Sequence, residues 1–108
     1  MYRAFLIVIA CLSLVSPSRA SAVDVQLVIE NHKFVPEQLH VPAGQRVRVV
    51  IDNRDASAEE FDSFELNREK VIPARSKAIV WIGPLKPGHY PFMGEFNAAT
   101  ARGTVIAQ

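Results

Sequence analysis

The sequence predicts an all-β sandwich of about seven to eight short strands. Three observations support this fold class. Short segments in which apolar and polar residues alternate recur along the chain, as in half-buried strands. Turn signals rich in proline and glycine separate these segments. Beyond residue 22, no segment of ten residues carries a clear helical period of apolar residues.

The strand segments follow one another with little chain between them. The first shows the pattern best, because Val25, Leu27 and Ile29 alternate with polar residues. The predicted strands are 23–30, 38–41, 47–51, 71–72, 78–82, 89–93 and 104–107. Two polar loops remain, 54–67 and 94–102, and loops held by a rigid sandwich are the usual place for function. The expected core comprises Leu27, Ile29, Phe34, Val47, Val49, Ile51, Val80, Ile82, Tyr90 and Phe92.

The first 22 residues have the features of a signal peptide. A short basic start precedes Ala4–Val15, an apolar run of about twelve residues that is shorter than the ~20 residues of a membrane span. The A-x-A motif at 20–22 predicts cleavage after Ala22. An uncleaved anchor and lipidation of Cys11 are the alternatives. We expect a periplasmic domain at 23–108, without membrane insertion after processing.

The composition of the processed chain excludes several function classes. Its 86 residues suffice for one core without disulfides. It has ten Lys or Arg against eleven Asp or Glu, and no cysteine. This balance leaves no basic stripe for nucleic acid. The sequence also contains no nucleotide-binding loop, Ser-His-Asp order or zinc-ligand spacing.

Three segments carry a family resemblance. Phe34–Asn53 is FVPEQLHVPAGQRVRVVIDN, Leu85–Phe92 is LKPGHYPF and Gly103–Val105 is GTV. In this order and spacing they resemble the cupredoxin superfamily, and the resemblance extends over essentially all of 23–108. It implies a cupredoxin-like Greek-key β-sandwich whose metal ligands lie in two neighbouring loops.

The ligands of a blue-copper site do not carry over. Such a site uses two His, one Cys and a weak axial Met. The resemblance places Gly94 at the Cys position, Asn97 at the second His and Arg102 near the Met. Glu59 or Glu60 takes the place of the first His. Copper added to the processed chain should therefore lack the intense visible absorption of a Cys–Cu(II) bond.

A smaller group within the superfamily is similar in three further segments. These are EEFDS (59–63), EKVIP (69–73) and PFMGEF (91–96). The group comprises periplasmic cupredoxin-like proteins of bacterial iron-uptake systems, related to the cupredoxin domain of EfeO. The resemblance implies that the chain handles iron, with copper as a redox partner. It also implies periplasmic or inner-membrane components of an iron-uptake system as partners.

Carboxylates and soft donors near the two polar loops are the candidate metal ligands. Oxygen ligands suit iron, whereas imidazole and thioether can hold copper. One alternative interpretation is a solvated acidic loop. Another is an ion pair in which Arg102 neutralises Glu95 or Glu59. The candidate ligands are Glu59, Glu60, Asp62, His89, Met93 and Glu95.

Three functions fit these residues. The first is a periplasmic metal-binding accessory of bacterial iron uptake that holds iron and/or copper. The second is an oxidoreductase in which a bound copper accepts an electron from Fe(II). The third is an interaction module that has kept the fold and lost the metal. The carboxylates favour the first two, whereas Asn97 and Arg102 favour the third.

Overall fold

A two-layer β-sandwich of nine strands is formed by residues 22–108. The structure is a computed structural model that describes residues 2–12 and 22–108. The strands are β1 (Val23–Glu30), β2 (Lys33–Val35), β3 (Gln38–Val41), β4 (Val47–Asn53), β5 (Glu59–Ser63), β6 (Arg68–Ile72), β7 (Lys77–Ile82), β8 (Gly88–Gly94) and β9 (Arg102–Ala107). One sheet has the order β2-β1-β4-β7 and the other β3-β9-β8-β5-β6. The predicted all-β sandwich is confirmed.

A single hydrophobic core lies between the two sheets. At its centre the ring centroid of Phe92 lies 5.0 Å from those of Phe34 and Phe61, and Phe34 meets both rings edge to face. All predicted core residues are buried except Tyr90, which is half-buried and packs against the core. Its hydroxyl group donates a hydrogen bond to the carbonyl of Lys86 at 2.7 Å.

Strand β5 lies inside a segment that the sequence predicts as a polar loop, 54–67. That prediction was wrong, because β5 pairs with both β6 and β8 in the five-stranded sheet. Its burial alternates, with Glu59, Phe61 and Ser63 on the inner face. Because a carboxylate and a hydroxyl occupy two of the three inner positions, the segment lacks the apolar alternation that predicts a strand.

The loop between β8 and β9 is short and closed by its own hydrogen bonds. It contains one 3-10 turn at Glu95–Asn97. The Ala101 N–H donates to the Asn97 carbonyl at 2.8 Å, and the Gly94 N–H donates to the Ala101 carbonyl at 2.8 Å. These bonds hold the end of β8 and the start of β9 together, next to β5.

The residues before the sandwich carry the predicted signal peptide. The apolar side chains of residues 2–12 are exposed, as is Cys11. Residues 13–21, which include Ala20 and Ser21 of the predicted cleavage motif, lie outside the described residues, so cleavage after Ala22 stays a prediction. Val23, the predicted new N-terminus, is the first residue of β1. No helix in the described part of the chain is both long and apolar enough to span a membrane.

Candidate metal centre

Glu59 is the first residue of β5 and points into the sandwich, where it is 1% exposed. One carboxylate oxygen, Oε1, accepts hydrogen bonds from the backbone N–H groups of Glu60 at 3.0 Å and Phe96 at 2.9 Å. The other, Oε2, accepts from Nδ2 of Asn97 at 2.7 Å. A buried carboxylate without such partners would be strongly unfavourable. These bonds therefore satisfy Glu59 and join β5 to the 3-10 turn.

Gly94 lies beside this carboxylate. A Cβ atom at Gly94 would lie 2.5 Å from Cδ of Glu59 and 2.7 Å from Cβ of Ala101. The φ of Gly94 is −91°, which any residue adopts, so crowding and not backbone conformation requires the glycine. The position that the resemblance assigns to a cysteine ligand consequently has no room for a side chain.

A copper ion does not fit the residues at this position. A blue-copper site needs a thiolate and two imidazoles. Gly94 provides no donor, the amide of Asn97 donates to Glu59, and both oxygens of Glu59 already accept hydrogen bonds. The donor set is therefore wrong for copper, and the Glu59 carboxylate fills the space that a side chain at position 94 would need.

Arg102 does not form the ion pair that the sequence suggests. Its Nε donates to the carbonyl of Ala98 at 2.7 Å, and its side chain is exposed. Within residues 22–108 its guanidinium has no carboxylate at ion-pair distance, so neither Glu95 nor Glu59 is its partner. The expectation of such a pair is wrong, because N–H donors satisfy Glu59 instead.

The other predicted ligands lie on the outer face of the five-stranded sheet. Successive residues of a strand face opposite sides, so Glu60 and Asp62 point away from Glu59. Asp62 is opposite Met93 on β8. Glu95, in the 3-10 turn that follows β8, lies beside Glu60. His89 is exposed further along β8.

Glu60 is electrostatically strained on this outer face. Its pKa is raised, first because partial burial removes water from the carboxylate, and then because Glu95 lies beside it. Glu69 and Asp62 add further repulsion.

The six candidate ligands do not form one cluster. The structure brings Glu60 and Glu95 together, with Asp62 and Met93 next to them, while Glu59 lies on the opposite face. Among the described residues, no group of three or more His, Cys, Asp or Glu is placed to hold a metal ion. A metal-binding role for the six residues stays a prediction.

Asn53 is a positioning residue to which the sequence analysis assigned no role. It is fully buried at the end of β4, and its Nδ2 donates to the carbonyls of Ser57, Ile72 and Pro73 at 2.9, 3.1 and 3.2 Å. Its Oδ1 accepts from the N–H of Asp55 at 3.0 Å. These bonds fix the segment before β5 and therefore the position of Glu59. The only signal was an asparagine placed two residues after a predicted strand.

Comparison with known families agrees with the fold. The sequence pattern of the cupredoxin-like domain family matches residues 3–107. The chain belongs to this family. The narrower resemblance to EfeO-type proteins stays a prediction.

One relative and several solved structures are similar to the chain. An uncharacterized protein of Rickettsia prowazekii (strain Madrid E) is 40% identical over 83 residues, which cover 77% of this chain and 66% of the relative. The chain thus spans just under two thirds of that protein's length.

The similar structures include copper proteins. Auracyanin A, a blue copper protein of Chloroflexus aurantiacus, matches with a TM-score of 0.69 and 12% identity, covering 82% of this chain and 100% of its own. The metal-binding domain of the Cu(I)-exporting P-type ATPase CopA of Streptococcus pneumoniae D39, solved with Cu(I), has a TM-score of 0.69 and 13% identity, with 79% and 84% covered. Amicyanin from Paracoccus versutus has a TM-score of 0.62 and 18% identity, with 85% and 86% covered. At these identities the likeness shows the fold alone.

Proposed function

We propose that this chain is an exported cupredoxin-like domain in which Glu59 replaces the metal, and that it serves as an interaction module and not as an electron carrier. One observation carries the proposal. The Glu59 carboxylate occupies the space beside Gly94 and is bonded by the Phe96 N–H and the Asn97 amide. This is the third of the functions that the sequence allows.

The hydrogen bonds of Glu59 supply the connection that the resemblance assigns to a metal. They join β5 to the loop between β8 and β9 through groups of the chain itself. A hydrogen bond to a charged group contributes about 1.5–3 kcal/mol to stability. An ion entering here would have to displace these bonds and would gain no thiolate or imidazole in return.

A metal titration of the purified protein tests the proposal. Cu(II), Cu(I), Fe(II) and Fe(III) are added separately, and metal analysis and thermal unfolding are measured. We expect no change in melting temperature with any ion, because a ligand raises it only by binding the folded state. A stoichiometric ion that raises the melting temperature and is lost in Glu59→Gln would contradict the proposal.

The same variant gives a prediction for the metal-free protein. Glu59→Gln replaces one acceptor oxygen with an NH2 group that faces the N–H donors of Phe96 or Asn97. The free energy of unfolding should fall by about 1.5–3 kcal/mol. Glu65→Gln, an exposed change of the same chemistry, is the matched control and should leave stability within about 0.5 kcal/mol. Equal stability of the two variants would contradict a role for Glu59.

A second candidate is the metal-binding accessory of bacterial iron uptake. It is favoured by the pairing of Glu60 with Glu95 near Asp62, because a cation would relieve their repulsion. Its partners would be periplasmic or inner-membrane components of an iron-uptake system, and its ion iron or copper. In the titration this candidate predicts binding that Glu60→Gln/Glu95→Gln abolishes and Glu59→Gln leaves intact.

A further inference from the structure

Strand β7 (Lys77–Ile82) lies at one edge of the four-stranded sheet. The edge strands β2, β3, β6 and β7 contain three, four, five and six residues, so β7 is the longest. Strand β6 begins with the charged run Arg68, Glu69 and Lys70, which is a usual protection against further strand pairing. Beyond Lys77, β7 carries no charge. An edge of this kind is suited to receive another strand.

Every second backbone unit of β7 faces this open edge. The Asn53 N–H donates to the Ser76 carbonyl at 2.9 Å, which makes these residues a hydrogen-bonded pair. In an antiparallel ladder such pairs alternate, so Ala78, Val80 and Ile82 bond to β4. The backbone groups of Ile79 and Trp81 therefore point outward. Nε of Arg68 donates a hydrogen bond to the Trp81 carbonyl at 2.8 Å. The backbone N–H and carbonyl of Ile79 have no strand partner within residues 22–108.

The side chains of Ile79 and Trp81 are apolar and exposed. Ile79 is 41% exposed and Trp81 38% exposed on the outer face of the sheet. Val50 is opposite Ile79 and half-buried, which continues the apolar surface onto β4. An apolar residue of an added strand would pack against this surface.

Two guanidinium groups flank Trp81 without a carboxylate partner. Arg46 lies over the indole ring, with its Cζ 4.2 Å from the ring centroid. Arg68 binds the Trp81 carbonyl and the Asn67 carbonyl. In residues 22–108 neither forms an ion pair, whereas Arg48, opposite Trp81, is paired with Asp24 at 2.7 Å. Guanidinium groups bind carboxylates in a planar, two-point geometry. The edge is therefore complementary to a carboxylate-bearing segment.

We propose that the β7 edge binds an extended acidic segment of another protein, which joins the four-stranded sheet as a fifth strand. Backbone hydrogen bonds to the N–H and carbonyl of Ile79 and to the N–H of Trp81 provide affinity, and carboxylates pairing with Arg46 and Arg68 select the acidic sequence. A second copy of this chain fits less well, because two β7 edges would bring four unpaired guanidinium groups together. The inference rests on the proposed function as an interaction module and names its partner class.

A peptide titration followed by NMR tests this proposal. The probe is a short synthetic peptide of alternating Glu and Val, added to the ¹⁵N-labelled chain as isolated from cells. We expect shifts and slowed hydrogen exchange at the Ile79 and Trp81 amides. The same peptide with Lys in place of Glu should cause neither. Shifts confined to other strands, or equal binding of the two peptides, would overturn the proposal.

Variants separate the backbone and charge contributions. Ile79→Pro removes the outward N–H without touching a bond to β4 and should abolish peptide binding. Ile79→Lys keeps the N–H and adds a positive charge, so this variant should retain peptide binding. It tests whether the edge still pairs if the proline variant is unfolded. Arg46→Gln/Arg68→Gln should weaken binding at least tenfold. The matched charge change Arg54→Gln/Lys86→Gln should have no such effect, and equal losses in both double variants would overturn the proposal.

Sedimentation and the metal titration complete the test. A dimer that Ile79→Pro dissociates would show that the occupant is a second copy and would overturn the acidic-segment proposal. A protein that binds neither metal nor peptide would overturn the docking site but leave the Glu59 replacement standing. A protein that binds metal through Glu59 and also binds the peptide would overturn the Glu59 replacement but leave the docking site standing.

Discussion

The carboxyl group of Glu59 and the α-carbon of Gly94 share one small space between β5 and β8. A side chain at 94 would lie within 2.5 Å of the Glu59 Cδ, so the two positions depend on each other. Asn97 belongs to the same set, because its amide donates to Glu59 at 2.7 Å. At the residue scale, Glu59 and Asn97 are joined by a hydrogen bond, and Gly94 leaves the space that the Glu59 carboxylate fills.

We expect Gly94→Ala to lower the free energy of unfolding by about 1–3 kcal/mol, since the added methyl group overpacks a buried site. In a Glu59→Ala background the loss should be smaller, because one of the two close contacts is gone, while that with Ala101 remains. Denaturant unfolding of the wild type, the two single variants and the double variant measures this coupling.

Gly88→Ala is the matched control for this cycle. A Cβ at Gly88 would meet only ordinary contacts, the nearest at 3.7 Å from Tyr90, so stability should change little. Strictly additive effects of Gly94→Ala and Glu59→Ala would show that the two positions do not share the space.

The resemblance identified Glu59 or Glu60, Gly94, Asn97 and Arg102 as the altered ligand positions, but not the contact that joins Glu59, Gly94 and Asn97. Residues 59 and 97 are 38 positions apart, and only the register of β5 against β8 brings them together. Conversely, the sequence analysis grouped Glu59 with Glu60 because they are adjacent in the chain. A strand sends adjacent residues to opposite faces, so proximity in sequence was misleading.

Strand β5 places one carboxylate inside the sandwich and the next outside. Glu59 accepts hydrogen bonds from N–H donors, whereas partial burial and the neighbouring Glu95 raise the pKa of Glu60. A raised acid pKa means that the folded state binds protons more readily than the unfolded state. Stability from Glu60 is therefore greatest at low pH, where it is protonated, and falls as the pH rises through the raised pKa.

We expect Glu60→Gln to raise the melting temperature at neutral pH, because it removes a charge that is disfavoured first by partial burial and then by Glu95. The difference from the wild type should shrink as the pH falls below the ordinary range of a glutamate, where Glu60 is protonated in both states. Thermal unfolding over a pH series measures this. Glu65→Gln is the control, and a Glu60→Gln difference that is constant with pH would argue against the repulsion.

How accurately each strand was predicted depends on the pattern of apolar and polar side chains along it. β1, β3, β4, β7, β8 and β9 were predicted within two residues at each end, because each contains apolar residues in alternation or in a short run between turn signals. Strand β2 was not predicted, because its three residues are too few to show a pattern. Strand β6 was recognised only at its apolar end, Val71–Ile72. Strand β5 was missed because polar groups occupy inner positions, where hydrogen bonds and not hydrophobicity stabilise them.

At the scale of the whole molecule, the sandwich is a unit that begins at Val23. The Val23 N–H donates to the Arg46 carbonyl at 3.1 Å, and β1 pairs along its length with β4. The apolar side chains of residues 2–12 are exposed, so they contribute little burial to the fold.

We expect mass spectrometry of the exported protein to show Val23 as its first residue. Removal of residues 1–22 should leave the melting temperature of the sandwich unchanged, because the β1 ladder stays complete. A chain that begins at lipid-modified Cys11 would contradict the cleavage site. A truncated chain that unfolds at lower temperature would contradict the independence of the sandwich.

The Glu59 carboxylate is part of the chain from its synthesis, whereas a metal ion would have to be added afterwards. A protein that needs an ion is finished only after a delivery step, and its working amount follows the supply of that ion. Here the group that joins β5 to the 3-10 turn arrives with translation. We therefore expect the amount of mature domain to be the same in copper-starved, iron-starved and replete cultures, with no chaperone needed to load it.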